Sequence, residues 1–244
     1  MRNVRLDICY DGTRYKGWQR LAQGDNTIQA KLEQTLSRIL NEPIEVTGSG
    51  RTDAGTHAKH QVVNFHCNST MPTQEILSQL RRYLPEDIGI YSCRNVSERF
   101  HARLNAKTKT YCYRLWNSEQ PCVFDRRYVC IDSSEVDLQA VCAAAAHFLG
   151  THDFSAFCAN KNVKKSTVRT LCCCDAERVG DEIVFTVTGN GFLHHMVRII
   201  VGTLLEVGRG ERCADSIPDL FGGNRAEAGV TMPACGLCLM EVTY

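Results

Sequence analysis

The sequence lacks any apolar run long enough to span a membrane, and no apolar block of the secretory type occurs near its start. Charged and apolar residues alternate instead from Met1 to Tyr10. These absences predict a cytoplasmic protein without a membrane partner. The fourteen cysteines lie at irregular spacings, so we expect reduced thiols that pack as small apolar side chains rather than a disulfide framework.

The sequence also lacks a charge excess and the short motifs of cofactor enzymes. The formal net charge is only +1, which by itself gives no reason to expect a polyanionic partner. Neither a glycine-rich dinucleotide fingerprint nor a phosphate-binding loop occurs. Clustered carboxylates, which a metal-dependent nuclease or hydrolase would need, are absent as well. These absences argue against the nucleotide-cofactor enzymes and the metal-dependent hydrolases.

Positive charge is concentrated in two segments without acids, although the whole chain is nearly neutral. One lies between Glu98 and Glu119 and contains four aromatic residues, and the other lies between Asp153 and Asp175. Phosphates would meet the cations and bases the rings, so this pattern is typical of a nucleic-acid surface; two solvated faces are the alternative. The cations are Arg99, Arg103, Lys107, Lys109, Arg114, Lys161, Lys164, Lys165 and Arg169.

Hydrophobic periodicity predicts two successive βαββαβ units, residues 1–102 and residues 103–244. Such units are typical of ferredoxin-like halves, in which helices cover one face of an antiparallel sheet. The predicted fold class is therefore α+β, with a mainly antiparallel central sheet and a cleft between the halves. The predicted strands are 4–10, 44–47, 60–67, 88–96, 103–116, 166–174, 183–188 and 236–242, and the predicted helices are 28–40, 72–84, 136–149 and 192–207.

The most informative stretch is the glycine-punctuated turn from Gly50 to Ala58, which carries one acid and two potential cations between two predicted strands. Such a turn presents Asp53 outward from rigid elements, where a carboxylate can act as a nucleophile. The alternative is an ordinary surface turn, in which Asp53 accepts backbone hydrogen bonds and pairs with Arg51.

These nine residues resemble, with one substitution, the catalytic loop of the tRNA pseudouridine synthase A (TruA) family, which usually has valine where this chain has Thr56. The resemblance continues in the same order over nearly the whole chain. His194 departs from it, since the family commonly has tyrosine or another larger polar residue there. The other matching motifs are Tyr10-Asp11-Gly12, Gly17-Trp18-Gln19, Lys109-Thr110-Tyr111, the acidic and aromatic turn at 152–157, and the run at 189–210 that contains Arg198.

The resemblance implies an activity, a partner and a nucleophile. Members of this family isomerise uridine to pseudouridine in tRNA, classically at positions 38 to 40 of the anticodon stem-loop. Uracil is detached from the ribose at N1, turned, and rejoined through C5, so no cofactor and no metal are expected. Asp53 stands at the position of the family's catalytic aspartate. The family is dimeric, which implies a homodimer here.

Two further residues are assigned roles through the resemblance. Arg198 would keep Asp53 ionised by direct charge pairing; the alternative is a helix-surface salt bridge with Glu206. Tyr111 would stack on a target base that has left the helical stem, whereas a lone strand tyrosine is otherwise more often a core residue.

Arg51 and His57 complete the predicted substrate-binding residues. Arg51 would fill the space left by the flipped base or hold its phosphate. His57 would contact a phosphate or cap the turn, and no chemistry is assigned to it.

Two alternative functions remain open at this point. An RNA-binding module without catalysis would not require Asp53, but the aromatic signature of such modules is missing. A zinc site would use the Cys235-Gly236-Leu237-Cys238 spacing with ligands from elsewhere in the chain. The second alternative is disfavoured because neighbouring residues of a strand face opposite sides. The further ligands considered are Cys172, Cys173, Cys174, His194 and His195.

Overall fold

The computed structural model describes residues 1–21, 26–160 and 166–244. The chain forms two compact units. The first contains Met1–Lys107 together with Cys238–Tyr244, and the second contains Thr108–Leu237. This grouping differs in two respects from the division after residue 102: residues 103–107 and the last strand belong with the first unit.

The first unit has the βαββαβ order expected for it. In its sheet, β1 pairs antiparallel with β3 and β4, and the short strand β2 pairs antiparallel with β3. The two helices pack against each other, and α2 packs against β4. The elements are β1 (Arg2–Tyr10), α1 (Ile28–Leu40), β2 (Val46–Gly48), β3 (His57–Cys67), α2 (Thr73–Tyr83) and β4 (Ile88–Val96).

Helix α1 shows why these residues form these elements. The Thr27 hydroxyl accepts a hydrogen bond from the Ala30 amide at 3.3 Å and so caps the helix start. The helix ends at Asn41, which adopts a left-handed conformation with φ of 54°. Apolar residues at helical spacing form its buried face, namely Ile28, Leu32, Leu36 and Leu40.

The second unit contains two strands, β6 and β7, that the sequence analysis did not predict. They have two and four residues, too few for periodicity to reveal. The sheet order is β5-β9-β8-β7 with antiparallel neighbours, and β6 pairs parallel with β5. The elements are β5 (Thr108–Trp116), β6 (Cys130–Ile131), α3 (Leu138–Ala146), β7 (Gly150–Asp153), β8 (Val168–Val179), β9 (Glu182–Gly189) and α4 (Met196–Gly208).

The last strand, β10 (Leu237–Thr243), explains the grouping of the chain end. It pairs in parallel with the start of β3, where Cys238 lies opposite His57 and Leu239 lies opposite Ala58. Its backbone hydrogen bonds thus complete the sheet of the first unit, and this contact is too distant in sequence for a local pattern to predict.

The predicted fold class is confirmed at the level of a mixed α+β protein with mostly antiparallel strands. All fourteen cysteines are free thiols. The longest described helices, α1 and α4, have 13 residues each, and none of the helices described is long and apolar enough to cross a membrane.

Candidate active site

The turn that carries Asp53 joins β2 to β3 in the first unit. At its start the Ser49 amide donates to the Val62 carbonyl at 2.8 Å, which continues the ladder between the two strands. At its end the Thr56 amide donates to the Asp53 carbonyl at 3.1 Å. Gly55 has a φ of 78°, a left-handed conformation that glycine adopts without strain. The turn is therefore closed by its own main chain.

A second segment, residues 10–18, fixes the turn by hydrogen bonds. The Trp18 amide donates to the Thr52 carbonyl at 3.0 Å, and the Gly55 amide donates to the Tyr15 carbonyl at 3.3 Å. The Tyr10 hydroxyl lies 2.9 Å from the Thr52 hydroxyl oxygen. Burial raises the pKa of Tyr10, so the phenol stays neutral. These contacts fix the turn from both sides of Thr52.

Two glycines allow the backbones to approach this closely. A Cβ atom on Gly12 would lie 2.0 Å from the Thr56 carbonyl oxygen. Gly17 has a φ of 90°, and a Cβ atom there would lie 2.7 Å from the Thr52 carbonyl oxygen. Neither position accepts a side chain without displacing the turn. The geometry thus gives a physical reason for the Tyr10-Asp11-Gly12 and Gly17-Trp18-Gln19 motifs, which the sequence analysis matched by resemblance alone.

The side chains of the turn differ in exposure, and the two charged ones, Arg51 and Asp53, are accessible to solvent. Thr52 is buried, Asp53 is half-buried, and Arg51 is exposed. Within the described ranges Arg51 forms no ion pair. The alternative of an ordinary surface turn, with Arg51 paired to Asp53, is therefore not the arrangement that the chain adopts.

His57 is buried at the first position of β3, with 5% of its surface exposed. Its Nδ1 atom accepts a hydrogen bond from the Gly12 amide at 3.1 Å. The same nitrogen lies 3.1 Å from Asp11 Oδ1. These two atoms attract each other only when the His57 ring is protonated. The observed geometry favours the capping role over direct contact with a phosphate.

Thr56, the residue that departs from the family's usual valine, is 1% exposed. Its hydroxyl oxygen is buried and has no hydrogen-bond partner among the residues that the structure describes. Valine has nearly the same shape and no hydroxyl to satisfy, so the departure carries an energetic cost.

Tyr111 lies on β5 in the second unit, opposite Val187 of β9. It is buried, with 7% of its surface exposed. Its ring meets Phe192 edge to face, with the ring centroids 5.0 Å apart. Phe192 belongs to the motif that carries Arg198, so two motifs of the resemblance meet in this contact.

Arg198 lies on α4 in the second unit. Eleven of the 13 residues of α4 are buried, and Arg198 is half-buried. Its Nε atom donates to the Met232 carbonyl at 2.5 Å, and the Met232 amide donates to the Arg198 carbonyl at 3.3 Å. Glu206, the acid of the alternative surface salt bridge, pairs with Arg212 at 2.9 Å. The helix thus presents one cation among apolar neighbours.

The two basic segments differ once folded. Arg114 is neutralised by Glu182 at 2.5 Å and lies 3.4 Å from Asp125. Arg103 is exposed and forms no ion pair with a residue of the described ranges. In the second segment, the Arg169 guanidinium donates to backbone carbonyls. The three lysines of that segment lie outside the described residues, namely Lys161, Lys164 and Lys165.

The three cysteines of β8 differ in exposure: Cys172 is exposed, Cys173 is half-buried and Cys174 is buried. The register of β8 with β9 shifts between Leu171 and Cys173, so simple alternation does not hold there. Burial raises the pKa of Cys174 to about 12, which disfavours the thiolate that zinc binds. The thiol of Cys235 donates to the Val129 carbonyl at 3.3 Å.

Comparison with known proteins gives one consistent family. A model of the tRNA pseudouridine synthase family matches residues 8–105 and 144–244. "tRNA pseudouridine synthase A 2" of Bacillus cereus is 43% identical, "tRNA pseudouridine synthase A 1" of Clostridium tetani is 43% identical, and "tRNA pseudouridine synthase A" of Acetivibrio thermocellus is 44% identical. Each alignment covers 100% of both chains.

Among solved structures, "Crystal Structure of a Cbf5-Nop10-Gar1 Complex" aligns with 97% of this chain and 48% of that chain, at 12% identity and a TM-score of 0.40. That similarity is too low to support an argument about fold. The family match and the full-length relatives are sufficient without it: the chain belongs to the tRNA pseudouridine synthase family, whose members isomerise uridine to pseudouridine in tRNA.

Proposed function

We propose that this protein forms pseudouridine at positions 38 to 40 of the tRNA anticodon stem-loop, with Asp53 as the nucleophile. The observation that carries the proposal is the turn itself. A half-buried carboxylate lies on a main-chain-locked turn, two residues from an exposed arginine that no described acid neutralises. Such a turn holds the carboxylate in place before the substrate arrives.

The reaction requires a nucleophile and no redox partner. The bond between N1 of uracil and the ribose breaks, and a bond from C5 to the same ribose carbon forms. C5 loses a proton and N1 gains one, so the atoms balance. An ionised Asp53 forms the transient covalent bond, either to the base or to the sugar. Both sites of attack fit the same requirement for a fixed, ionised carboxylate.

The roles of the other predicted residues rest on the resemblance and are supported by their settings. Arg198 supplies the positive charge that keeps Asp53 ionised, since it is a half-buried cation on an otherwise apolar helix. Tyr111 stacks on the target base, and its ring orientation is limited by Phe192. Arg51, exposed on the turn, fills the space that the base vacates or holds its phosphate.

His57 remains a proposed substrate-binding residue, although its burial favours a positioning role. Its hydrogen bond to Gly12 joins the end of the turn to the loop after β1. In that role it would affect the reaction through the placement of Asp53.

The finer architecture and the partners are also proposals. We propose two ferredoxin-like halves with a cleft between them; the βαββαβ order of the first unit supports this description. A homodimer is proposed because a nearly neutral chain that binds a whole tRNA gains by joining two basic surfaces. A tRNA substrate also fits a cytoplasmic location.

An RNA-binding module without catalysis is the competing function, and Asp53→Asn separates the two. The variant removes the charge at nearly constant shape, so pseudouridine formation should fall by at least about 10⁴-fold while tRNA affinity stays within about threefold. The measurement is nucleotide-resolved mapping of pseudouridine in a tRNA transcript with uridines at positions 38 to 40.

Asp215→Asn is the matched control, because the Asp215 side chain is 91% exposed and belongs to no proposed site. It should form pseudouridine at the wild-type rate. Substantial turnover by Asp53→Asn would remove Asp53 from the mechanism. Wild-type protein that binds the transcript but leaves every uridine unmodified would support the binding module instead.

A further inference from the structure

A pocket of ≈ 350 Å³ lies within the first unit, beside the Asp53 turn. Its volume is in the range of small-ligand sites and its walls are polar. Of the residues that line it, only Arg51 has a role in the proposed function. The residues that line it include Arg20, Glu45, Thr47, Gly50, Arg51 and Arg103.

The pocket carries two positive charges that no described acid neutralises. Its lining includes three arginines and one glutamate. Arg20 is engaged by Glu33 at 2.8 Å and by Glu45 at 3.6 Å. Arg51 and Arg103 are exposed and pair with no acid in the described parts of the chain. An anionic ligand would therefore find two available guanidinium groups there.

A buried carboxylate outside the pocket holds three of its lining residues, Arg20, Gln29 and Val46. Glu33 on α1 is 4% exposed. It accepts hydrogen bonds from the Gln29 side-chain amide at 2.9 Å and from the Val46 amide at 3.1 Å. The Gln29 side-chain oxygen in turn accepts from the Arg20 amide at 2.9 Å. A pocket fixed in this way needs little ordering on binding, which favours affinity.

We propose that this pocket binds one nucleotide of the RNA next to the target uridine, with its phosphate held by Arg51 and Arg103. The proposal rests on the proposed function, because it takes the target to react at Asp53. Arg51 is two residues from Asp53 on one locked turn, so a strand that delivers a base to Asp53 passes Arg51. The planar guanidinium matches phosphate oxygens in two places. Thr47 and Gly50 also line the pocket, beside the space that the base and ribose would occupy.

The first experiment measures the binding of an anticodon stem-loop RNA to Arg103→Gln at several salt concentrations. One lost phosphate contact should weaken binding about tenfold and reduce the slope of log affinity against log salt by about 0.7. Arg103→Lys should restore the slope but only part of the affinity. Arg82→Gln is the matched control, since Arg82 is exposed on α2 and outside the pocket; it should match wild type in both quantities.

The second experiment locates the contact with a double-mutant cycle. RNAs that carry a single neutral methylphosphonate at each linkage flanking the target should reveal one linkage at which wild type loses affinity. Arg103→Gln should lose nothing further at that linkage. If the loss of affinity caused by the methylphosphonate and the loss caused by Arg103→Gln are additive at every linkage, the assignment of Arg103 to a phosphate is wrong. The variant must have the wild-type melting temperature for this comparison.

A failure of the pocket assignment can be distinguished from a failure of the proposed function. If wild type forms pseudouridine but Arg103→Gln binds RNA as Arg82→Gln does, the pocket assignment fails and the proposed function stands. If wild type forms no pseudouridine but the cycle shows coupling at one linkage, the reaction assignment fails and the pocket remains an RNA site.

Discussion

The Asp53 turn and helix α4 each carry a charged residue of the proposed reaction, and they are held rigid in different ways. Main-chain hydrogen bonds hold the turn, and the close approach of Gly12 and Gly17 makes these possible. The burial of eleven of its 13 residues, nine of them with side chains, holds the helix. One region is fixed through its backbone and the other through its side chains.

The way in which each region is held determines which substitutions it tolerates. A backbone-held turn leaves its side chains available, so Arg51 is exposed and Asp53 half-buried. A helix held by its side chains has few positions left for function, and Arg198 is one of only two half-buried residues in α4. The turn should therefore be intolerant of Cβ atoms added at Gly12 and Gly17, and the helix should be intolerant of changes at Arg198.

Among the changes that compare these two regions, the largest effect is expected from removing the cation of the helix. Arg198→Met should lower the single-turnover rate by about 10²- to 10³-fold, the range found when one electrostatic group of an active site is removed. Arg198→Lys keeps a charge but loses the planar fork, so a loss of about tenfold is expected. Rapid-quench measurement of pseudouridine formation gives these rates. A rate for Arg198→Met equal to wild type would make Arg198 a structural residue.

The second prediction adds one methyl group to each region. Gly12→Ala places a Cβ against the Thr56 carbonyl and should displace the turn, costing about 1 to 3 kcal/mol of stability and about 10²-fold in rate. Gly208→Ala at the end of α4 meets only the side chains of Val136 and Val141 closely, at 2.7 Å. It should change the rate little. Urea denaturation and single-turnover kinetics measure both effects, and equal rates for the two variants would contradict the comparison.

The smallest effects are expected from replacing two buried threonines, Thr56 and Thr203, with valine. Thr56→Val removes a hydroxyl without a described partner and should stabilise the protein by about 1 kcal/mol at unchanged rate. Thr203 of α4 is also fully buried, but its hydroxyl donates to the Ile199 carbonyl and accepts from the Gly229 amide, both at 2.9 Å. Thr203→Val should therefore destabilise the protein by about 1 to 3 kcal/mol. The unfolding midpoints in urea should move in opposite directions, and a shared direction would refute the interpretation of Thr56.

The sequence predicted best those elements whose information is local. Periodicity located the strand Ile88–Val96 and the helix Ile28–Leu40 at their observed bounds. The Asp53 turn was located between its two strands, because glycine and polar residues interrupt the alternation there. These features depend on neighbours within a few residues, which a pattern can show.

Features that depend on distant partners could not be predicted. Arg114 looked like part of a nucleic-acid surface, but the register of β5 with β9 brings Glu182 to it from 68 residues away. The pairing of β10 with β3 and the reason for Gly12 likewise appear only in three dimensions. The roles of Asp53, Arg198 and Tyr111 came from family resemblance and remain predictions.

The parallel pairing of β10 with the start of β3 has a consequence for biosynthesis. The ribosome makes β10 about 180 residues after His57 and Ala58, the residues with which it pairs. Until then, the start of β3 is paired on one side only, where Ala58 lies opposite Tyr10 of β1. The nascent first unit thus cannot finish its sheet before the second unit has been translated. A chain that stops before β10 therefore has the Asp53 turn but lacks the strand that pairs with its end.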